Sequence, residues 1–205
     1  MQDLLILVAD KNMEFAVRGA LVRHQALGIR SIRFDVRTHP NRDGGVRTTG
    51  AQQVRLEIKD FKHALVILDI EGSGFSGSAT ELEARLDAEL ARDWGERSKS
   101  IVISPELESW IWGSDNAMES VLDWKESLHI REWLGRLSPP FVLSQNGKPE
   151  RPKEAFEKVL YRLKRPRSSS QYQALTSKIS LQGCKDEAFS RLRSILRSWF
   201  PPESE

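Results

Sequence analysis

Cysteine is nearly absent from this sequence: Cys184 is the one cysteine among 205 residues. A single cysteine excludes a disulfide within the chain and any zinc site built from several cysteines. The four histidines show no metal-ligand spacing either (His24, His39, His63 and His129). This composition is typical of a reducing compartment, and we expect a cytoplasmic protein.

Long apolar runs are also missing. No stretch approaches the roughly 20 apolar residues that a membrane-spanning helix needs, so we expect no membrane partner. The N-terminal stretch LLILVAD lacks the basic residues that precede the apolar part of a signal peptide, and it leads directly into a charged segment. The sequence therefore predicts a strand there.

Charge is plentiful but unevenly distributed. Charged residues make up 29% of the chain and hydrophobic residues 39%, proportions typical of a folded globular protein. Residues 148–205 contain 13 Lys and Arg against 7 Asp and Glu, whereas residues 1–147 contain 18 against 22. We therefore predict an acidic domain over 1–147 and a basic helical region over 148–205. The basic region is compatible with nucleic-acid binding, although a solvated helical surface is the simpler interpretation.

Strands and helices alternate along the first hundred residues. Apolar and alternating runs predict strands at 4–9, 29–36, 64–70 and 100–105. The segments between them predict helices at 12–26, 51–61 and 80–94. This alternation is typical of an α/β fold with a mostly parallel sheet flanked by helices. Further helices are predicted at 106–113, 115–122, 126–136, 153–164 and 185–199.

Two polar stretches are predicted to lack regular structure. Residues 37–50, RTHPNRDGGVRTTG, have the proline, glycine and polar content of a loop. Residues 165–171, RPRSSSQ, are the expected flexible segment. The first stretch also holds His39 and three arginines, so it could meet a phosphate group, but a solvated loop is the simpler interpretation.

Carboxylates follow three of the predicted strands at the point where each ends. Asp10 follows the first strand, Asp69 and Glu71 close the third, and Glu106 and Glu108 follow the fourth. In an open parallel sheet, ligands bind outside the carboxyl ends of the strands. Clustered carboxylates repel one another, and Mg²⁺ prefers oxygen ligands. The sequence therefore predicts a site for Mg²⁺ or Mn²⁺, although each carboxylate taken alone could be solvated or cap a helix.

A glycine-rich stretch offers an alternative. Residues 72–77, GSGFSG, match G-x-G-x-x-G between a predicted strand and a predicted helix, as in a dinucleotide-binding loop. Asp69 and Glu71 would repel a pyrophosphate, however, and the motif follows the third strand instead of the first. No lysine precedes Ser78, which disfavours a Walker-type phosphate loop. The preferred interpretation is a flexible loop over the metal site.

The order and spacing of these carboxylates resemble a Toprim domain, the fold shared by topoisomerases, primases and related nucleases. The resemblance lies in ADKNMEF with Asp10 and Glu14, LDIEG with Asp69 and Glu71, and PELESW with Glu108. The closer similarity is to a small Toprim-like family found in bacterial antiviral defence gene clusters. The C-terminal stretch SQYQALTSKISL also resembles that family, so the similarity covers nearly the whole chain.

This resemblance implies a Mg²⁺-dependent nuclease of a bacterial anti-phage defence system. The implied ligands of Mg²⁺ or Mn²⁺ are Asp10, Asp69, Glu71 and Glu108, with Glu14 as a further ligand or the general base. The metal would activate a water molecule and stabilise the charge that develops on the phosphodiester. The implied partners are nucleic acid and other defence-system proteins, with an ATPase among the candidates.

Three positions depart from the pattern of that family. Asp10 stands where the family has glutamate, Lys11 where it has glycine, and Glu71 where it has a second aspartate. The charge is kept at two of these positions, but the reach of the side chains changes. The alternative function is therefore a catalytically silent scaffold or sensor subunit of a multiprotein defence complex.

Basic residues of the C-terminal region are the candidates for nucleic-acid contact. They lie off the apolar stripe of the helix predicted at 153–164, so we expect them to face solvent. They are Lys153, Lys164, Arg165 and Arg167.

Overall fold

The sheet of this protein consists of four parallel strands. The computed structural model describes residues 1–179 and 186–203. The strands in them are β1 (Gln2–Val8), β2 (Phe34–Thr38), β3 (Phe61–Asp69) and β4 (Ser98–Ile103). Their order is β2-β1-β3-β4, and every neighbouring pair is parallel. The predicted α/β architecture with a parallel sheet is confirmed.

Helices flank the sheet and build the C-terminal region. In chain order they are α1 (Lys11–Leu21), α2 (His24–Leu27), α3 (Arg42–Arg55), α4 (Ala79–Trp94), α5 (Glu108–Ile111), α6 (Asp115–Leu122), α7 (Ile130–Gly135), α8 (Pro152–Arg162), α9 (Ser169–Thr176) and α10 (Glu187–Trp199). Within residues 1–179 and 186–203, none of the helices has the length and apolar character needed to cross a membrane.

The two central strands form the middle of the hydrophobic core. Residues 4–8 of β1 and 64–68 of β3 are at most 2% exposed, as expected for a sheet covered on both faces. The same core continues into the C-terminal helices through Phe156 of α8 and Phe189 of α10. The acidic region 1–147 and the basic region 148–205 therefore share one core.

The polar stretch 37–50 contains most of α3, so the loop prediction was wrong. Its glycines, which suggested turns, instead permit close packing. A Cβ on Gly45 would overlap the His39 ring, and a Cβ on Gly50 would lie 3.5 Å from Leu7 of the sheet. At Gly45 the neighbouring atoms leave no room for a side chain, whereas a Cβ at Gly50 would make only an ordinary van der Waals contact. The helix is stable despite these glycines because it packs on the sheet.

The segment predicted to be flexible, 165–171, leads into α9. The side chain of Gln171 accepts the backbone N–H of Ser168 at 2.9 Å, which satisfies a free donor at the start of the helix. α9 packs closely on α1 at Gly19, where a Cβ would lie 2.6 Å from the carbonyl oxygen of Gln173. The prediction of flexibility was therefore wrong from Ser168 onward, because a contact distant in sequence orders this segment.

The remaining boundaries differ modestly from the predicted ones. The helix predicted at 12–26 is divided into α1 and α2, and Gly28 ends α2 in the left-handed conformation (φ 74°) that glycine favours. The strand predicted at 29–36 is shifted to β2. Cys184 and the first residue of the helix predicted at 185–199 lie outside the described residues; the rest of that prediction corresponds to α10.

Candidate functional site

The carboxyl ends of β1 and β3 meet where the chain changes direction across the sheet. From β1 the chain continues to β2 on one side and then returns to β3 on the other. In open α/β sheets such a switch point creates a crevice in which ligands bind. Val8 pairs with Ile67, and Asp10 and Asp69 each follow two residues later. The topology therefore brings both carboxylates to the same crevice.

A cavity of about 580 Å³ opens at this crevice, and we call it the acidic cavity. Its carboxylates are Asp10, Asp43, Asp69, Glu71, Glu106 and Glu108. Its basic side chains are Arg42, Lys153 and Arg167. The structure thus collects all four metal ligands expected from the sequence, and it adds Asp43.

Asp69 is the last residue of β3, and one of its carboxylate oxygens lacks a hydrogen-bond partner in the part of the chain that the structure describes. Its Oδ1 is buried and has no hydrogen-bond partner among the described residues. Burial raises the pKa of Asp69 well above its usual value, and Asp43 raises it further, against a smaller opposing effect of the Leu107 N–H. A buried carboxylate oxygen without a partner is energetically costly. Asp69 therefore needs either a proton or a cation beside it.

Asp43 lies in the first turn of α3 and is tied to the end of β3. Its Oδ1 accepts the backbone N–H of Asp69 at 2.8 Å. Burial raises the pKa of Asp43, and the nearby charge of Asp10 adds to the increase. Gly72 makes this approach possible, because a Cβ there would lie 2.8 Å from Cγ of Asp43.

Asp43 is not among the site residues predicted from the sequence, because the pattern of residues 37–50 predicted a loop. The available signal was an acidic residue just before the glycines, since acidic residues are enriched in the first turn of a helix.

Asp10 belongs to the acidic cavity, whereas Glu14 does not. Asp10 caps α1 by accepting the Met13 N–H at 2.9 Å, and it also lines the cavity. Glu14 forms an ion pair with Arg18 at 2.9 Å, and Arg18 in turn donates to the carbonyl of Val36 on β2. The structure therefore does not bring Glu14 together with the other predicted site residues. Lys11 is exposed and is not among the cavity-lining residues.

Glu71 is an exposed residue at the cavity, and the glycine-rich stretch follows it. Glu71–Ser73 form a short 3-10 turn, and α4 begins after Ser78.

The N-terminus of α4 is capped by its own side chains. The Glu81 carboxylate accepts the Ser78 N–H at 2.7 Å, while Ser78 Oγ accepts the Glu81 N–H at 3.2 Å. A dinucleotide loop would place its pyrophosphate at such a helix N-terminus. The carboxylate already there disfavours the dinucleotide interpretation.

Glu106 is buried, and Lys153 is its partner. Its Oε1 accepts the backbone N–H of Lys153 at 3.1 Å, and Lys153 Nζ lies 3.8 Å from Oε2. Burial raises the pKa of Glu106 to about 7, and the neighbouring Glu108 contributes to the increase. Glu106 therefore changes its protonation state near neutral pH.

Glu108 is buried at the start of α5 and has two partners from the C-terminal region. The Tyr172 hydroxyl donates to its Oε1, and Arg167 Nη1 lies 3.5 Å from the same oxygen. Burial raises the pKa of Glu108, and the hydrogen bond from Tyr172 opposes that increase. Glu108 thus joins the acidic cavity to the segment that leads into α9.

The four basic residues expected to face solvent divide into two groups. The Lys153 and Arg167 side chains are 42% and 35% exposed, and both pair with glutamates of the acidic cavity. Both side chains therefore reach solvent, as expected, but each also contacts a carboxylate of the acidic cavity. Lys164 and Arg165 are exposed and lie at a different cavity beside α8.

The histidine and most arginines of the stretch 37–50 are engaged within the protein. The His39 ring is buried, accepts the Asn41 N–H at Nδ1 (3.0 Å) and contacts the Thr49 hydroxyl at Nε2 (2.9 Å). Arg37 pairs with Glu57 at 2.6 Å, and Arg47 donates to a backbone carbonyl at 2.7 Å. These contacts stabilise the start of α3 and its packing, and they favour a structural role over phosphate binding.

No three His, Cys, Asp or Glu side chains within the described ranges are grouped so as to hold a metal ion by themselves. Glu106 and Glu108 are instead paired with Lys153 and Arg167, and Asp10 caps a helix. Asp69 and Asp43 are the adjacent pair on which a metal ion would depend.

No protein-family model matches the sequence. Comparisons with curated proteins and with solved structures likewise give no significant match. The residues and geometry of the acidic cavity, together with the resemblance of its motifs, are the basis for a functional proposal.

Proposed function

We propose that the acidic cavity binds Mg²⁺ or Mn²⁺ and that the protein is a metal-dependent nuclease. The observation that carries this proposal is the buried Oδ1 of Asp69, which has no hydrogen-bond partner among the described residues. Asp69 and Asp43 are the residues that would hold the ion. Mg²⁺ is usually bound by one or two carboxylates together with waters and substrate phosphates, so a pair of carboxylates is sufficient. Asp10 and Glu71 line the same cavity and are within the proposed site.

The protein's own side chains supply further parts of a phosphodiester site. Arg167 and Lys153 remain partly exposed, so each can contact a phosphate oxygen while it stays near its glutamate partner. Glu106, with a pKa of about 7, is suited to accept or donate a proton at neutral pH. A bound Mg²⁺ ion would supply charge neutralisation and lower the pKa of a coordinated water.

The biological setting follows from the family resemblance. A Toprim-like nuclease of a bacterial anti-phage defence system would act in the cytoplasm on DNA or RNA. It would work with other proteins of that system, and an ATPase is a candidate among them. The retained carboxylates at Asp10, Asp69 and Glu71 support a catalytic member of this group.

Thermal unfolding with and without Mg²⁺ or Mn²⁺ tests the metal site. A ligand that binds only the folded state at 100 times its Kd adds about 2.7 kcal/mol to the unfolding free energy, which corresponds to a rise in Tm of several degrees. We expect this rise in the wild type and its loss in Asp69→Asn. Glu14→Gln is the matched control, because Glu14 lies outside the acidic cavity, and it should keep the rise. An identical response in wild type and Asp69→Asn would remove the site from consideration.

Cleavage of labelled DNA and RNA tests the reaction. We expect Mg²⁺-dependent cleavage by the wild type and by Glu14→Gln, and none by Asp69→Asn. A protein that binds Mg²⁺ at Asp69 without cleaving any of these substrates would contradict the nuclease assignment while retaining the metal site.

A scaffold or sensor is the second candidate, and one observation favours it. Glu106 and Glu108 already have Lys153, Arg167 and Tyr172 as partners, so part of the acidic cavity is neutralised by the protein itself. A scaffold needs no metal ion. The absence of any metal-dependent rise in Tm would favour the scaffold or sensor function over the nuclease function.

A further inference from the structure

A second cavity, of about 730 Å³, lies beside the C-terminal half of α8. Aromatic and basic side chains line it: Trp133, Lys158, Tyr161, Arg162, Lys164 and Arg165. We infer that this basic aromatic pocket binds single-stranded nucleic acid, with a base stacked on an aromatic ring and the phosphates held by the basic side chains.

Three of the lining residues belong to the exposed side of α8. Lys158, Tyr161 and Arg162 are spaced three and four residues apart, so they are neighbours on the helix surface. The buried stripe, which includes Val159 and Leu160, lies on the other side of the helix. These three side chains are therefore available to a ligand, because they lie outside the buried stripe of the helix.

The charge of the pocket is largely uncompensated. Arg162 pairs with Glu126 at 2.9 Å. Lys158, Lys164 and Arg165 form no ion pair with any residue that the structure describes. Three positive charges around one cavity favour a polyanionic partner.

The aromatic residues distinguish a nucleic acid from a simple polyanion. The Tyr161 side chain is 79% exposed, and Lys158 Nζ lies 5.6 Å from its ring centroid. Trp133 is half-buried and packs edge-on against Trp124, with 5.2 Å between the ring centroids. An exposed ring beside lysines matches sites where bases stack and nearby cations track the backbone. The bases must be unpaired to stack there, which selects a single strand over a duplex.

Lys164 occupies a position where glycine is usual. Its φ is 53°, in the left-handed region, just after the last turn of α8. A strained non-glycine residue suggests a functional reason for the side chain, and here that side chain lines the basic aromatic pocket.

The chain leads directly from this pocket to the acidic cavity. Arg165 lines the first and Arg167 the second, and two residues of chain span at most about 7 Å. A strand held in the basic aromatic pocket would thus pass toward Asp69. Delivery of the nucleic-acid strand to Asp69 rests on the proposed nuclease function, whereas binding of that strand in the basic aromatic pocket does not.

Fluorescence anisotropy in EDTA tests binding independently of any metal. Labelled oligo-dT and oligo-rU are the probes, with a duplex of equal length for comparison. We expect both single strands to bind more tightly than the duplex. Tyr161→Ala should weaken binding about 5- to 150-fold, the fold-change that corresponds to one stacked base. Lys164→Gly should reduce the log–log salt slope by about 0.7, the value for one lost contact to a single strand, without lowering Tm.

Matched controls lie elsewhere on the surface. Leu56→Ala removes a side chain that is 80% exposed, and Lys59→Ala removes an exposed positive charge; both should bind like the wild type. The inference is overturned if Tyr161→Ala binds normally, if the duplex binds more tightly, or if no oligonucleotide binds. It is also overturned if polyglutamate binds as tightly as the single strands, since a protein partner would then explain the pocket. A mononucleotide that binds as tightly as the oligonucleotide would overturn the strand assignment.

The metal site and the basic aromatic pocket can be disproved independently of each other. If the metal site is wrong, binding in EDTA is unaffected. If the basic aromatic pocket is wrong, Tyr161→Ala still shows the Mg²⁺-dependent rise in Tm, because Tyr161 is not part of the acidic cavity.

Discussion

The backbone N–H of Asp69 donates to Oδ1 of Asp43 at 2.8 Å, which joins the end of β3 to the first turn of α3. This hydrogen bond holds two carboxylates near each other in the acidic cavity. Burial is the main cause of the raised pKa of both. When both groups are ionised, their repulsion and their removal from water increase the free energy of the folded state.

We expect the free energy of unfolding to fall as the pH rises, because carboxylates of the acidic cavity then become ionised. The pKa of Glu106 is raised from 4.5 to about 7, so between these values the folded state binds more protons than the unfolded state. The stability linked to such a group is complete below the unfolded pKa and falls as the pH rises toward the folded pKa. The free energy of unfolding of Glu106→Gln should therefore exceed that of the wild type by at most about 3 kcal/mol at about pH 8. At about pH 4 the two should be almost equal.

Urea unfolding without metal, at both pH values, measures this difference. Glu132→Gln is the control, because this exposed residue pairs with Arg136 within one helix turn and should change stability by less than about 1 kcal/mol at either pH. A difference between Glu106→Gln and the wild type that is equal at both pH values would contradict the prediction.

Gly72→Ala should disturb the site through Asp43. A Cβ at Gly72 would lie 2.8 Å from Cγ of Asp43, so the carboxylate must move. We expect a loss of about 1–3 kcal/mol in unfolding free energy and a smaller Mg²⁺-dependent rise in Tm. Gly44→Ala, with open space around its Cβ, should instead be neutral or stabilise α3 by up to about 1 kcal/mol. The idea fails if the two variants have equal stability.

Tyr172→Phe should destabilise the protein through Glu108. The variant lacks the hydroxyl that donates to the buried Glu108 carboxylate, and a hydrogen bond to a charged group contributes about 1.5–3 kcal/mol. The loss should be larger at about pH 8 than at about pH 5, because burial favours the protonated form of Glu108 and alkaline pH ionises it. Chemical denaturation at both pH values measures it. Tyr161→Phe, at an exposed position, is the control; equal stability of the two variants would refute the role of Tyr172.

Lys164→Gly should stabilise the protein, in contrast to most glycine substitutions. Its positive φ costs a non-glycine residue about 1 kcal/mol, and glycine removes that strain. Lys158→Gly, in the interior of α8, should lose about 1 kcal/mol. Thermal unfolding of both variants compares the signs. A loss of stability in Lys164→Gly would show that the left-handed conformation is not strained.

The strands and the carboxylates at their ends could be predicted from the sequence, because both depend on local pattern. Continuous apolar runs predicted β1 and β3, and the parallel arrangement that follows from alternating helices places Asp10 and Asp69 at one edge. The partners of these carboxylates could not be predicted. Lys153 and Arg167 lie at the acidic cavity because α8 and the segment before α9 pack against α5, contacts between residues far apart in sequence.

The sequence by itself determined the α/β class, the acidic edge of the sheet and the apolar stripes of α8 and α10, since hydrophobic periodicity and strand direction need no knowledge of distant contacts. Only the tertiary structure decided that 37–50 is mostly helix and that Asp43 enters the acidic cavity. The physical reason is the double role of glycine. In isolation Gly45 favours a turn, but in the folded protein the His39 ring occupies the space that a side chain would need, so the glycine allows His39 to pack against the start of α3.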